Sequence, residues 1–295
     1  MIKEATKEKI SGWLNAYKPL GISSAKLVQN IKTILDNNCK VGHCGTLDPL
    51  ADGVLPIAIG EATKLVDYLI NKDKTYIFTI QFGTSTTTGD KEGEVQNITD
   101  YIPSDPRELR EVCAKFIGDL NQKVPSYSAA KINGKRFCDL ARKGQEVPER
   151  SRIITIYSLE LLDYDLTLGT ATYKAKCSKG TYIRVLAEDI SHSLKSLGFV
   201  IKLSRMSVGI FLNDNSLKNL TLGSIKKHLL PIEHILKDVK VIDVDDVLAN
   251  KIKHGQNINI YSKDLDIAWL RFNDNLLAVG SLFNNQFNVL RRFNL

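Results

Sequence analysis

Long apolar runs are missing from this chain. None approaches the roughly 20 residues that span a bilayer, so no membrane association is expected. The opening stretch Met-Ile-Lys-Glu-Ala-Thr-Lys-Glu-Lys mixes acidic and basic residues and lacks the apolar core of a signal peptide. A cytoplasmic location is therefore expected. Cysteine is sparse: Cys39, Cys44, Cys113, Cys138 and Cys177 make five, with no CxxC among them. An odd count without paired spacing argues against a disulfide framework and agrees with a reducing compartment. Cys39, His43 and Cys44 lie close in sequence, but a tetrahedral zinc site wants four ligands, usually as two spaced pairs. No second pair follows, and no metal is expected. A glycine fingerprint for a nucleotide cofactor is also lacking, as are internal repeats and low-complexity segments. Without heptads or a conspicuous apolar surface stripe, the expected state is a monomer.

What is present suits a folded protein of moderate size. The 295 residues, 43% hydrophobic and 25% charged, are enough for one large domain and a small one. The formal net charge of +7 suits a polyanionic partner, although a mildly basic balance also serves solubility alone.

Residues 13–17 read as a short strand, and Pro19 and Gly21 as a turn. Ser23 or Ser24 then caps a helix whose Leu27, Val28, Ile31, Ile34 and Leu35 form one stripe. Val54 to Ile59 reads as a strand and Ala62 to Leu69 as a helix. From Lys74 the period changes to two, with Tyr76, Phe78, Ile80 and Phe82 on one face. A turn at 89–93 leads to a short strand at Glu94–Val95. Residues 107–118 read as an amphipathic helix, 153–162 and 170–177 as strands, and 183–197 as a helix. The pattern predicts an α+β fold with a mixed, largely antiparallel central sheet flanked by helices.

The stretch 121–151 differs in character. It carries Lys123, Lys131, Lys135, Arg136, Arg142, Lys143 and Arg150, with Arg152 just beyond, and Tyr127 and Phe137 lie between them. Basic residues interleaved with aromatics are the usual makeup of a nucleic-acid contact surface. A second, small β domain is expected from about Val241, with a helix at 244–252 and strands at 258–260, 268–272, 276–282 and 286–290. Asp274-Asn275 and Asn284-Asn285 mark hairpin turns. So short a domain is expected to pack on the main one.

Asp48 lies between Leu47 and Pro49 in the run Gly42 to Pro49. The following proline restricts it to extended geometry, and glycines 42 and 45 allow close approach to the backbone. A carboxylate so held can serve as nucleophile, base or electrostatic stabiliser; taken alone, however, it reads as a turn residue. The whole run Gly42 to Lys64, Gly-His-Cys-Gly-Thr-Leu-Asp-Pro-Leu-Ala-Asp-Gly-Val-Leu-Pro-Ile-Ala-Ile-Gly-Glu-Ala-Thr-Lys, resembles the signature of the TruB type of tRNA pseudouridine synthase. Other similar motifs occur in the same order. They are Tyr17 to Ser24, Lys74-Thr75-Tyr76, Phe82-Gly83 through Thr86, Thr88, Asp90 and Gly93, Ser126 to Ala129 with Lys131 and Gly134, and Cys177 to Arg184. The likeness covers at least residues 12–211.

The resemblance implies a pseudouridine synthase catalytic domain over 1–240, with an RNA-gripping insertion at about 121–152, and a PUA-like β domain over 241–295. It implies isomerisation of a tRNA T-loop uridine, position 55, by base flipping, breakage of the glycosidic bond and rejoining through carbon, with no cofactor. Asp48 matches the catalytic carboxylate, Tyr76 the active-site tyrosine and Arg184 the arginine expected to pair with Asp48. His43, Tyr182, Leu203, Lys18 and Lys64 are implied substrate-binding positions. The implied partner is the T arm of tRNA, with no obligate protein partner. A non-catalytic tRNA-binding or tRNA-folding protein on the same fold is the alternative, and a guided relative a third reading. The chain departs from the family pattern at Val124-Pro125-Ser126, at Cys138, and at Leu203-Ser204-Arg205-Met206, where the family usually has Leu-Arg-Arg-Thr.

Overall fold

The computed structural model describes residues 10–294; the charged stretch Met1–Lys9, on which the signal-peptide expectation rested, and Leu295 lie outside it. The chain opens with β1 (Gly12–Lys18), β2 (Val41–His43), β3 (Ala51–Ile59) and β4 (Lys74–Phe82). A hairpin of β5 (Thr84–Thr86) and β6 (Val95–Ile98) follows. Next come β7 (Gly118–Lys123), a small hairpin of β8 (Lys131–Ile132) and β9 (Lys135–Arg136), then β10 (Ser151–Asp165) and β11 (Thr170–Cys177). The catalytic-domain strands end with β12 (Gly198–Val208) and β13 (Phe211–Leu212).

The main sheet runs β1-β3-β12-β4-β11-β10-β7, with β2 on β3 and β13 on β12. Only β3 and β12 pair in parallel; the other neighbours are antiparallel. The expected mixed, largely antiparallel sheet is therefore what forms. Its alternation buries Tyr76, Phe78, Ile80 and Phe82 of β4 against Leu55, Ile57, Leu186 and Ile190 in one core. The helix Ser24–Ile34 starts where Ser23 accepts a hydrogen bond from Lys26 N–H at 3.1 Å, and it buries Leu27 and Ile31.

Several expected elements change shape. The helix expected over 62–69 is a 3₁₀ turn, Gly60–Leu65, passing into Val66–Ile70. The one expected at 107–118 is Pro106–Glu111 followed by a 3₁₀ turn to Phe116. The helix expected to reach 197 stops at Ser193, where Lys195 turns left-handed (φ 59°). The central strand β12 has no clear period of two in the sequence. Bulges between Val200 and Lys202 and between Arg205 and Ser207 shift its alternation, and a bulge reverses which side chains face the core. At the excursion, the sheet claims residues up to Lys123 and from Ser151, so the part that leaves the sheet is 124–150. A hydrogen bond from Val124 N–H to Arg150 O, 2.8 Å, closes its neck.

The second sheet contains β14 (Lys240–Asp243), β15 (Ile258–Asn259), β16 (Leu265–Phe272), β17 (Asn275–Phe283) and β18 (Gln286–Arg292), in the order β14-β16-β17-β18-β15. The helix here is Asp246–Lys253, capped by Asp245. The first hairpin turn falls one residue before the expected place: Asn273 and Asp274, like Asn284 and Asn285, take positive φ, the two-residue turn that matches strand twist. As expected, this domain packs on the first. Trp269, Leu276, Val279 and Phe293 share a core with Ala62, Leu65, Leu69 and Phe211.

Candidate active site

The sheet brings the implied residues together because its central strands are in register. Along one row, Lys18 pairs with Gly53, Gly53 with Arg205, Arg205 with Tyr76, and Tyr76 with Ala175. Leu203, two residues back on β12, pairs with Ala51 and Phe78 and is buried. The parallel contact of β3 with β12 is close. A Cβ on Gly53 (φ +105°) would stand 2.3 Å from Arg205 O, so only glycine fits there.

Asp48 sits on the loop that joins β2 to β3. Ser24 fixes this loop by accepting from Leu47 N–H at 2.8 Å and donating to Leu47 O at 3.0 Å. Pro49 O accepts from Gly21 N–H, and Asp48 O from Ala51 N–H. The Asp48 side chain keeps 37% of its surface open, whereas that of Arg184 is only 6% exposed. Arg184 Nε lies 3.1 Å from Asp48 Oδ2 and 3.6 Å from Asp90 Oδ2. Its other donors reach Thr88 O at 2.7 Å and Tyr127 O at 2.8 Å. Two of the guanidinium nitrogens are thus held on backbone carbonyls, and the third lies within ion-pair distance of a half-open carboxylate.

Asp90 is held in turn by Thr88 Oγ1 at 2.6 Å and Glu92 N–H at 3.0 Å. In the sequence it reads as part of the turn at 89–93; only the fold sets it beside Arg184. Glu188, one helical turn beyond Arg184, is pushed up to about 7, chiefly by burial, with Asp189 and Asp90 adding to the effect and Arg184 opposing it.

Tyr76 is almost wholly buried, and burial pushes its phenol up against the opposing charge of Arg205. It is therefore neutral near pH 7. Burial, then the charge of Arg205, pushes the His43 imidazole down. His43 Nδ1 is buried without a hydrogen-bond partner among the described residues. Tyr182 precedes the helix Ile183–Ser193. Gln122 holds its backbone, donating to Tyr182 O at 3.0 Å and accepting from Tyr182 N–H at 2.8 Å. The Arg152 guanidinium lies 5.2 Å from the Tyr182 ring.

Two implied positions have other surroundings. Lys18 is fully buried and donates to Pro19 O and Ile22 O, at 2.9 and 2.8 Å. Burial pushes it down to about 8 against the pull of Asp52 and Asp48. Lys64 is at the junction with the second domain, on Glu61 and Arg292 O, and 5.5 Å from the Phe293 ring. The fold does not bring Lys64 into the Asp48–Arg184 cluster. Sequence reasoning also passed over Arg205, whose guanidinium donates to Gly45 O, Thr46 O and Val54 O. Cys39, His43 and Cys44 form no three-residue metal-ligating group among the described residues.

The model of the N-terminal domain of TruB family pseudouridylate synthases matches residues 32–183. A tRNA pseudouridine synthase B of Rickettsia bellii (strain OSU 85-389) is 54% identical over 291 residues, covering 97% of this chain and 99% of that protein. Its counterpart in Rickettsia akari (strain Hartford) is 50% identical over 289 residues, covering 96% and 98%. Among solved structures, a Cbf5-Nop10-Gar1 complex aligns with a TM-score of 0.71 at 24% identity, over 95% of this chain and 84% of that one. An archaeal box H/ACA Nop10-Cbf5 complex gives 0.68 at 23% identity, over 95% and 85%. At such identities the structural likeness speaks for the fold, including the C-terminal sheet in the place of a PUA-like domain. With the family match over half the chain and the near full-length relatives, the conclusion is that this chain belongs to the TruB family of pseudouridylate synthases.

Proposed function

We propose that this chain isomerises the T-loop uridine of tRNA, position 55, to pseudouridine, acting in the cytoplasm as a monomer without cofactor or protein partner. The observation that carries this reading is the half-open Asp48 carboxylate held 3.1 Å from Arg184 beside a buried, neutral Tyr76, in a chain whose relatives are named for tRNA pseudouridine synthesis.

The reaction is an isomerisation. The C1′–N1 bond breaks, a C1′–C5 bond forms, the C5 proton leaves, and N1 takes up a proton. Attack by a carboxylate, and removal of a sugar proton to give a glycal, both need the group ionised beside the nucleotide. The Arg184 guanidinium stands within ion-pair distance of Asp48, at 3.1 Å, where it can orient the carboxylate. A uridine stacked in the tRNA elbow must first be extruded, at a cost of a few kcal/mol. Tyr76 and Leu203 then offer an aromatic and an apolar surface to the base, and His43 and Tyr182 flank the flipped nucleotide. Lys18 acts from behind the loop and Lys64 farther out, at the domain junction, toward the phosphate backbone. In the excursion, Lys131, Lys135, Arg136, Arg142, Lys143 and Arg150 are all exposed and suited to phosphates of the T arm, which would be recognised by shape.

The test uses an unmodified tRNA transcript tritiated at uridine C5. Wild-type protein should release tritium from position 55, and Asp48→Asn should bind the transcript but release none. A wild type that binds and releases nothing would leave only a non-catalytic tRNA-binding role. Release retained by Asp48→Asn would remove Asp48 from the chemistry.

A further inference from the structure

Arg205 is, after Trp13, the largest side chain enclosed completely by the fold, at 1% exposure. No carboxylate of the described residues lies within ion-pair distance of it. An ion without a counter-ion costs several kcal/mol to bury, and well-packed apolar residues of similar volume often serve stability as well or better. The guanidinium is spent on backbone. Nε donates to Val54 O at 2.8 Å, Nη2 to Gly45 O at 3.0 Å and Nη1 to Thr46 O at 3.4 Å.

Two of these acceptors lie two and three residues before Asp48. The next residue, Leu47, is tied at both its N–H and its C=O by Ser24. Each residue from Gly45 to Leu47 is therefore anchored to the body, the first two through Arg205. The third acceptor belongs to β3, and Arg205 itself pairs with Gly53 on one side and Tyr76 on the other. One side chain thus refers the Asp48 loop to the strand that carries Tyr76. Its charge is also felt by the buried groups around it, since it acts on Lys18, His43, Lys74 and Tyr76.

We propose that Arg205 is a positioning residue for the isomerisation: its forked guanidinium fixes the loop Gly45–Asp48 against the strand row of Tyr76 and so sets the carboxylate's place opposite Arg184. This rests on the reading of Asp48 as the reacting carboxylate. Lysine cannot replace it, because its donors share one nitrogen, whereas here three separate nitrogens of a planar fork reach three carbonyls on two segments.

The experiment compares full-length wild type, Arg205→Lys and Arg205→Met in three measurements: amide hydrogen exchange over the 44–50 segment, affinity for unmodified tRNA transcript, and single-turnover tritium release. Both variants should exchange faster in the loop and bind tRNA as wild type does. Their turnover at saturating tRNA should fall about 100-fold, the scale of a roughly 1 Å misplacement. If Arg205→Met does not fold, Arg205→Lys carries the comparison. A lysine variant with wild-type loop protection or wild-type turnover overturns the proposal, as does a lowered melting temperature with unchanged turnover. Should wild type itself release no tritium, the proposed reaction fails separately, and loop exchange alone decides whether Arg205 positions the loop.

Discussion

Arg184 is the residue on which the cleft's charges converge. It meets Asp48 and Asp90 directly, and its helix presents Glu188 to the same space. Three carboxylates around one guanidinium cannot all be neutralised, and Glu188 is the one that burial drives toward the acid form. The sign of the resulting pH dependence follows. Burial favours the neutral acid in the folded state, so the contribution of Glu188 to stability is intact below its ordinary value of 4.5 and is lost as pH rises through about 7. Glu188→Gln should therefore leave stability nearly unchanged at pH 4.5. At pH 8.5 it should raise stability by up to about 3 kcal/mol, the linkage equivalent of that rise. Urea unfolding at the two pH values checks this, and an equal change at both would refute it. Asp48, Tyr76 and Arg184 were legible in the sequence because they fall in motifs, whereas Leu203 stands at the edge of a segment that departs from the family pattern. Asp90 falls within a motif, yet its local sequence is that of a turn. Arg205 stood in a segment that departs from the family pattern, and nothing local marks a polar side chain as buried.

Strands β3, β12 and β4 make the site by lying in register, and the parallel pairing of β3 with β12 is a close one. Gly53 and Gly42 differ sharply in this respect. A Cβ on Gly53 meets Arg205 backbone at 2.3 Å in a left-handed conformation, whereas nothing lies within 4 Å of one on Gly42. Gly53→Ala should cost about 3 kcal/mol or more through strain and strand separation, and Gly42→Ala less than about 1 kcal/mol. Chemical denaturation of the two variants gives the comparison; similar losses would mean that the strands can part without penalty. Strands of regular alternation, such as β4 and β11, were readable from the period of two. Strand β12 was not, because its two bulges move side chains from one face to the other within eleven residues. Short helices failed at their ends for a related reason. Tight 3₁₀ turns and a left-handed Lys195 are set by what the chain must pack against next.

Each sheet has a core of its own and the two share a further apolar cluster at their junction, so the molecule should behave as one cooperative unit. Trp269, Leu276, Val279 and Phe293 lie against Ala62, Leu65, Leu69 and Phe211, and Lys64, Glu61 and Asn294 add polar ties across the same junction. Calorimetry should show a single transition for the full chain. A chain ending before Lys240 should aggregate or melt at lower temperature, because it bares part of that core. Two well-separated transitions would instead mark the second sheet as an independent module. Among the described residues no helix is long and apolar enough to cross a membrane.

The sequence by itself determined the family, the α+β class, most strands and the identity of the central carboxylate and its arginine. Those properties reside in short ordered motifs and local periodicity. The tertiary structure alone decided that Asp90 joins Asp48 on Arg184, that Lys18 is sealed behind the loop, that Lys64 stands at the domain junction and that Arg205 clamps the loop from beneath. Each of these depends on residues far apart in the chain meeting across a sheet or a domain boundary, and on burial, which changes what a charge costs and whom it must meet. Asp48 looks like a turn residue when only Leu47 and Pro49 are considered; the longer run Gly42–Lys64 singles it out, and the fold adds the buried Arg184 at 3.1 Å.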